Sequence, residues 1–183
     1  EEAKINATIK ATEDFFRENS GGLQTFAIDR ATFVMNHLSR ANCNNFSMSA
    51  SPISEGIKAY RALDPTGIYH RRVLSYYKSC RIMRFGGLAP LRGKDSYINR
   101  PIGLYSVHEL GHNNGAHHSS KDGSEYGSQH SVMGAYAGPP RGHFDAGAKA
   151  AFRWLKHPVQ VKPVAAVGDK TCYYAEDCPS KGE

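Results

Sequence analysis

The stretch HELGHNNGAHH, residues 108–118, decides how the middle of this chain folds. We predict a helix that carries most of it, from Pro101 to about Asn114. Proline is favoured at the first position of a helix, and a glycine such as Gly115 permits the left-handed turn that ends many helices. Side chains four residues apart then lie on one face of this helix.

Two histidines in this helix have the spacing of metal ligands. His108 and His112 are four residues apart, so their imidazoles can converge on one zinc ion, while Glu109 projects beside them as a general base. Because the chain turns back after the helix, His118 is the predicted third zinc ligand, and its neighbour His117 is the rival for that role. The string HExxHxxGxxH arises by chance in about one chain in 10⁴ of this composition. A surface cluster of histidines is therefore the weaker interpretation.

Met133 follows the motif at a distance of fifteen residues, within Ser131-Val132-Met133-Gly134. A methionine alone is most often core filler. However, the runs HELGHNNGAHHS, EYGSQHSVMG and FDAGAKAAFRWL together resemble the gametolysin family of metzincin zinc endopeptidases, over roughly residues 68–156. The resemblance implies a metzincin methionine turn at Met133, a Glu109 general base, and three zinc ligands: His108, His112 and His118.

Members of that family are secreted enzymes that degrade cell-wall glycoproteins. The resemblance therefore implies one catalytic Zn²⁺ and hydrolysis of internal peptide bonds in an extracellular or cell-wall protein or glycoprotein, by a zinc-bound water and Glu109. An extended peptide can add to the edge of a sheet. Gly87, Leu88 and Ala89 resemble the metzincin edge strand that would bind it, and an ordinary β-turn is an equal alternative.

The segment after the methionine departs from two related families. Astacin-like and serralysin-like metzincins have a tyrosine two residues after this methionine, where it can reach zinc. Here Ala135 takes that place and Tyr136 follows one residue later. We therefore assign Tyr136 to the substrate cleft rather than to the metal. Pro139 and Pro140 are predicted to wall the pocket for the residue after the scissile bond.

The surrounding sequence predicts a mixed α+β fold in one domain of 183 residues. Apolar spacing and turn residues predict helices over 12–19, 54–63 and 146–155, strands within 23–34, 68–77 and 80–85, and an edge strand or hairpin over 88–98. Thr12 is predicted to cap the first helix and Ser20-Gly21-Gly22 to end it, and Trp154 of the last helix is predicted to lie in the core. Because the order lacks a regular βαβ rhythm, we expect a mixed sheet. By resemblance the fold is metzincin-like, with a twisted sheet, an N-terminal subdomain to about residue 118 and a smaller, irregular C-terminal subdomain over about 119–183.

Composition excludes several classes of protein. The chain is 40% hydrophobic and 22% charged, which is typical of a globular protein and not of a disordered one. Its net charge is +6, but the basic residues are scattered, so we predict no binding of nucleic acid. No run of 18 apolar residues is present, so we predict no membrane association. We also expect a monomer.

The four cysteines point to an oxidising compartment. Cys43, Cys80, Cys172 and Cys178 include no CxxC pair, so we predict two disulfides rather than a cysteine-bound metal. Three pairings are open, one of which joins Cys172 to Cys178 around a short loop. Together with the family resemblance, this predicts a secreted protein.

Two further functions stay open at this stage. One alternative is a non-catalytic, zinc-containing extracellular binding module. The other is a metzincin protease of another family, reprolysin-like or snapalysin-like. The intact Glu109 argues against the first, since a structural site needs no base and closes all four zinc positions. A calcium site at Asp122 and Glu125 is a weaker alternative, because their spacing is not that of an EF-hand.

Overall fold

The computed structural model of the chain describes residues 2–26, 57–58, 60–62, 66, 72–75, 86–98, 103–135 and 142–155. Its elements, in chain order, are α1 (Glu2–Asn19), β1 (Arg72–Ser75), β2 (Gly87–Leu88), β3 (Asp95–Ile98), α2 (Gly103–Asn114) and α3 (Ala146–Ala151). Residues 57–58 and 60–62 are also helical, within the helix predicted over 54–63. Helices and strands are interspersed, so the α+β class is confirmed.

The three strands form one mixed sheet in the order β1-β3-β2. β1 pairs with β3 in parallel, with Arg72 opposite Asp95, and β2 pairs with β3 in antiparallel fashion, with Gly87 opposite Ile98. The β2–β3 pair begins one residue before the edge strand or hairpin predicted over 88–98 and ends with it, and β1 lies within the strand predicted over 68–77. β2 is thus the terminal strand of the sheet in the part of the chain that is described.

Helix α1 begins ten residues earlier than the sequence analysis predicts. Thr12 was expected to cap the helix, and this is wrong: its hydroxyl donates a hydrogen bond to the carbonyl of Thr8 (2.8 Å), one turn back within the same helix. An ion pair between Lys10 and Asp14 (2.8 Å) also spans this region. Such pairs support a helix four residues at a time, which lets it extend toward the N-terminus.

The chain after α1 differs from the prediction. The helix ends as expected, at Asn19, and Gly21 and Gly22 follow with positive φ angles of 60° and 85°. Residues 23–26 are the described part of the strand predicted over 23–34, and they are not in a strand. Alternating apolar residues suggested a strand here. Phe26, one of these residues, instead packs against Phe16 of α1, with ring centroids 5.0 Å apart.

Helix α3 is shorter than predicted. Asp145 caps it by accepting a hydrogen bond from the amide of Ala148 (2.8 Å). The helix stops at Ala151 rather than at residue 155, because Arg153 adopts a left-handed conformation (φ 61°) that a helix cannot contain. This turn directs Trp154 back into the core, where it is buried as predicted.

An aromatic cluster joins the two ends of the described chain. Phe16 of α1 lies against Phe144 and Trp154, with ring centroids 5.4 and 5.9 Å away, and Phe144 lies 5.7 Å from Trp154. All three are buried. The side-chain oxygen of Asn19 accepts a hydrogen bond from the amide of Phe144 (2.9 Å). This hydrogen bond and the ring contacts hold the segment before α3 against α1.

Several predictions fall outside the described residues: the strand over 80–85, the four cysteines, Tyr136, Pro139, Pro140 and the tail after residue 155. None of the helices in the described part of the chain combines the length and the apolar character that a membrane span requires.

Candidate metal centre

The structure brings together the side chains of His108, His112 and His118. One ring nitrogen from each lies within 4.8 Å of the other two. Helix α2 supplies the first two, one turn apart. It ends at Gly115, whose φ of 107° turns the chain so that His118 returns to the same place. Among the described residues, no other group of three His, Cys, Asp or Glu side chains is close enough to share a metal ion.

Each of the three imidazoles is held by its Nδ1 atom. The Nδ1 of His108 lies 2.8 Å from the carbonyl of Val132, and that of His112 lies 2.8 Å from the carbonyl of Ala116. A carbonyl oxygen only accepts hydrogen bonds, so these Nδ1 atoms carry the hydrogen and each Nε2 keeps its lone pair. The Nδ1 of His118 donates in the same way to the carboxylate of Glu125, at 2.6 Å.

The arrangement of lone pairs fits a metal ion. The Nε2 atoms of His112 and His118 are 3.1 Å apart. Two lone pairs at this distance repel each other, whereas a cation between them is attracted to both. Zinc binds imidazole nitrogen at about 2.0–2.1 Å in tetrahedral geometry, which places two ligand atoms about 3.4 Å apart. Three imidazoles with exposed Nε2 lone pairs are thus a suitable donor set for Zn²⁺.

The two helical histidines are also neutral, as metal ligands must be. Burial, joined by the neighbouring imidazoles His112 and His118, lowers the pKa of His108 to about 4. The pKa of His112 is lowered as well, first by burial and then by the nearby histidines. The hydrogen bonds that the two rings donate to the carbonyls of Val132 and Ala116 oppose these shifts without reversing them. Both rings therefore keep a lone pair at neutral pH.

The carboxylate of Glu109 lies between helix α2 and the edge strand β2. The residue is 5% exposed, and burial raises its pKa to about 8. No described residue donates a hydrogen bond to it. A Cβ atom on Gly87 would lie 2.7 Å from the Glu109 carboxyl carbon, closer than real Cβ atoms approach. The glycine in β2 is what allows the backbone to pass over this carboxylate.

Met133 packs under helix α2. It is fully buried, and a Cβ atom on Gly111 would lie only 2.6 Å from its sulfur. The turn that contains it contacts two of the histidine segments. The carbonyl of Val132 accepts the Nδ1–H of His108, and the carbonyl of Met133 accepts the amide hydrogen of Ser119, next to His118 (2.9 Å). The turn at 131–134 thus fixes both ends of the histidine cluster.

Two residues at the centre, Glu125 and Tyr126, have contacts with His118 that the sequence did not predict. Glu125 holds His118, as described above, which gives it a role other than calcium binding. Tyr126 lies over His118 with ring centroids 3.9 Å apart and stays 41% exposed. Burial, followed by the charges of Glu125 and Glu109, raises the pKa of Tyr126. No spacing rule points to these residues; only the position of EY between His118 and Met133 hinted at them.

The remaining predicted site residues take different positions. His117 is exposed and is not one of the three clustered histidines. Leu88 and Ala89 are half-buried; Leu88 is the last residue of β2, and Ala89 follows the strand directly. His143, which was not predicted to belong to the site, lies outside the cluster, and its ring packs near Phe15 with centroids 6.4 Å apart.

Comparison with known proteins adds no assignment: neither a model of a known protein family nor a curated protein matches this chain. The geometry of the metal centre and the motif that builds it are therefore the features from which a function can be inferred.

Proposed function

We propose that this chain is a metzincin-like catalytic domain, related to the gametolysins, and a secreted zinc-dependent metalloendopeptidase. One observation supports this most directly. Three imidazoles converge with each Nδ1 engaged by an oxygen acceptor, and a buried carboxylate stands beside them at a sheet edge. Such hydrogen bonds orient imidazoles for metal binding and raise their basicity.

The chemistry divides between the metal and Glu109. Zinc bound by three imidazoles supplies a Lewis acid with an open position, which lowers the pKa of water and favours negative charge on a peptide carbonyl oxygen. The Glu109 carboxylate removes the proton from the attacking water. It then gives that proton to the leaving amine nitrogen as the peptide C–N bond breaks. Burial alone raises the pKa of Glu109 to about 8, which would leave it largely protonated at neutral pH. The positive charge of a zinc ion bound beside it would lower that pKa again and favour the ionised carboxylate that a general base requires.

The substrate lies along β2. This strand is terminal in the described sheet, and its Gly87 faces Glu109. A peptide that pairs with such an edge gains main-chain hydrogen bonds and passes the carboxylate. We assign main-chain binding to Gly87, Leu88 and Ala89. A protein or glycoprotein substrate, cleavage by a monomer, and pocket roles for Tyr136, Pro139 and Pro140 remain predictions.

The competing function is that of a non-catalytic zinc module. A structural zinc site is usually closed by four protein ligands. The group found among the described residues contains three histidines, and a carboxylate suited to proton transfer adjoins it. This combination favours catalysis over a purely structural role.

Cleavage of unfolded casein tests the proposal. We expect the protein to cut internal peptide bonds, to lose this activity with a zinc chelator, and to regain it when Zn²⁺ is restored. Glu109→Gln should keep one equivalent of zinc, since the three imidazoles are unchanged. Its turnover number should fall by about 100-fold or more, because general-base catalysis contributes about 10²–10⁴-fold.

The matched control is Asp122→Asn, which removes a carboxylate from an exposed loop outside the centre. It should cleave casein at the parental rate. Zinc binding without any cleavage by the parent protein would favour the binding module. Full activity of Glu109→Gln would rule out Glu109 as the base.

A further inference from the structure

The three histidines differ in what holds them. His108 and His112 are fixed by main-chain carbonyls, which belong to the fold and vary little. His118 is fixed by a side chain, the carboxylate of Glu125, which is 70% exposed. The third histidine is thus the one whose orientation depends on a surface residue.

The ring of His118 is also covered from one side. Tyr126, the next residue after Glu125, lies over it at 3.9 Å between centroids and 37° between planes. Tyr126 lies near His108 as well, with ring centroids 6.2 Å apart. Two consecutive residues of one loop therefore contact His118: Glu125 at the Nδ1 atom and Tyr126 on the face of the ring.

The loop over residues 121–127 is well anchored. Lys121 and Ser124 exchange two main-chain hydrogen bonds (3.0 and 2.9 Å). At the far end, the carbonyl of Tyr126 accepts a hydrogen bond from the amide of Ala135, beside the methionine turn (2.7 Å). These hydrogen bonds already order the backbone of the loop. Fixing the side chains of Glu125 and Tyr126 on His118 therefore costs little additional conformational entropy.

We propose that Glu125 and Tyr126 form a clamp that positions His118 and thereby sets the affinity of the centre for zinc. This rests on the metal centre of the proposed function. Glu125 is a positioning residue: its carboxylate fixes the tautomer of His118 and makes Nε2 a stronger donor to a cation. Tyr126 restricts rotation of the ring by stacking on it. Neither residue is assigned to the proton transfer.

The affinity for Zn²⁺ tests the clamp directly, by titration of the whole protein against a competing chelator. Removal of a partner that orients a metal-binding imidazole costs about 10–100-fold in affinity. We expect Glu125→Ala to lose about tenfold, since the residue is exposed, and Glu125→Gln, which keeps an acceptor oxygen, to lose less. Tyr126→Ala should weaken binding by several-fold, and Tyr126→Phe, which keeps the ring, should bind like the parent protein.

Two controls separate positioning from general damage. Asp122→Asn removes one negative charge from the same loop and should leave the affinity unchanged. Co²⁺ in place of zinc reports ligand geometry through its visible absorption. The spectrum should change in Glu125→Ala and not in Asp122→Asn. The unfolding temperature of the metal-free variants should match that of the parent.

Three results of these measurements would overturn the proposed clamp. Equal zinc affinity and equal Co²⁺ spectra in Glu125→Ala and the parent protein would overturn the clamp while leaving the proposed function intact. Equal losses in Asp122→Asn and Glu125→Gln would overturn it also, because loop charge would then explain the effect. A parent protein that binds no zinc would overturn the metal centre itself, and the clamp with it.

Discussion

Gly87 is a residue whose missing side chain makes room for the carboxylate of Glu109, the proposed general base. We predict that Gly87→Ala lowers the rate of casein cleavage by about 100-fold or more. The added Cβ would lie 2.6 Å from Glu109 Cγ and 2.7 Å from its carboxyl carbon, so the glutamate must move. A displaced general base loses most of its contribution, which is about 10²–10⁴-fold.

Zinc content distinguishes this effect from loss of the fold. The atoms nearest to an added Cβ all belong to Glu109 and not to an imidazole, so Gly87→Ala should still bind one equivalent of zinc. Gly103→Ala is the matched control, because its added Cβ meets Ala11 Cβ at 3.4 Å and the carbonyl oxygen of Thr8 at 3.9 Å, both ordinary contacts. If Gly87→Ala cleaved casein at the parental rate, Glu109 would not be held against β2 as described.

At the level of residues, the sequence predicts those parts of the site that follow from local spacing. The choice of His118 over His117 rests on the turn after Gly115, and the structure places His118 in the cluster and leaves His117 exposed. Glu125 and Tyr126 could not be found this way. Their contact with His118 depends on how a loop of seven residues folds back, and no local spacing rule specifies that.

Helix α2 depends on a close approach to the methionine turn. Gly111 faces Met133 and Phe144, and a Cβ there would lie 2.6 Å from Met133 Sδ and 2.7 Å from a ring carbon of Phe144. We predict that Gly111→Ala lowers the free energy of unfolding by about 1–3 kcal/mol, the usual cost of overpacking a core. Denaturant unfolding, followed by the fluorescence of the only tryptophan, Trp154, measures this.

The same helix provides the control. Gly103→Ala should be neutral, or stabilising by up to about 1 kcal/mol, because alanine favours a helix and the contact made by its Cβ is ordinary. If the two substitutions had equal effects, helix propensity would govern α2, and the tight packing on Met133 would be irrelevant to stability.

At the level of elements, the predicted end of a helix was correct where glycines follow it. A predicted helix boundary was wrong where a side chain is compatible with more than one backbone position. α2 ends before Gly115 and α1 ends before a pair of glycines, as expected. Thr12 was misread because threonine serves equally as a cap or as a residue that bonds back within a helix. The end of α3 was missed because a positive φ at an arginine, Arg153, leaves no trace in the sequence.

For the whole molecule, the sequence predicts the class of fold but not which distant segments meet. Phe16 and Trp154 are separated by most of the chain, yet their rings are 5.9 Å apart. Their apolar character indicates burial without naming a partner, since any large hydrophobic residue satisfies that requirement. This long-range packing connects α1 to Phe144, which lies with Met133 against Gly111 of α2, the helix that carries His108 and His112.

A metal ion held by this cluster links remote parts of that packing, so zinc should stabilise the molecule as a whole. A ligand that binds only the folded state adds about 2.7 kcal/mol at a free concentration 100 times its Kd. For a chain of this size, that raises the unfolding temperature by about 5–10 °C. We expect this rise when Zn²⁺ is added to metal-free protein, measured by Trp154 fluorescence during heating.

His118→Asn and His117→Asn form the matched pair for this measurement. Both replace an imidazole in adjacent positions, but only His118 lies in the cluster. The first variant should lose most of the zinc-dependent rise, and the second should keep it. The opposite result would move the third ligand to His117, and with it the argument that Glu125 orients that ligand. A rise that survives in both variants would mean that two helical histidines suffice to bind zinc, in which case the turn after Gly115 contributes little to the centre.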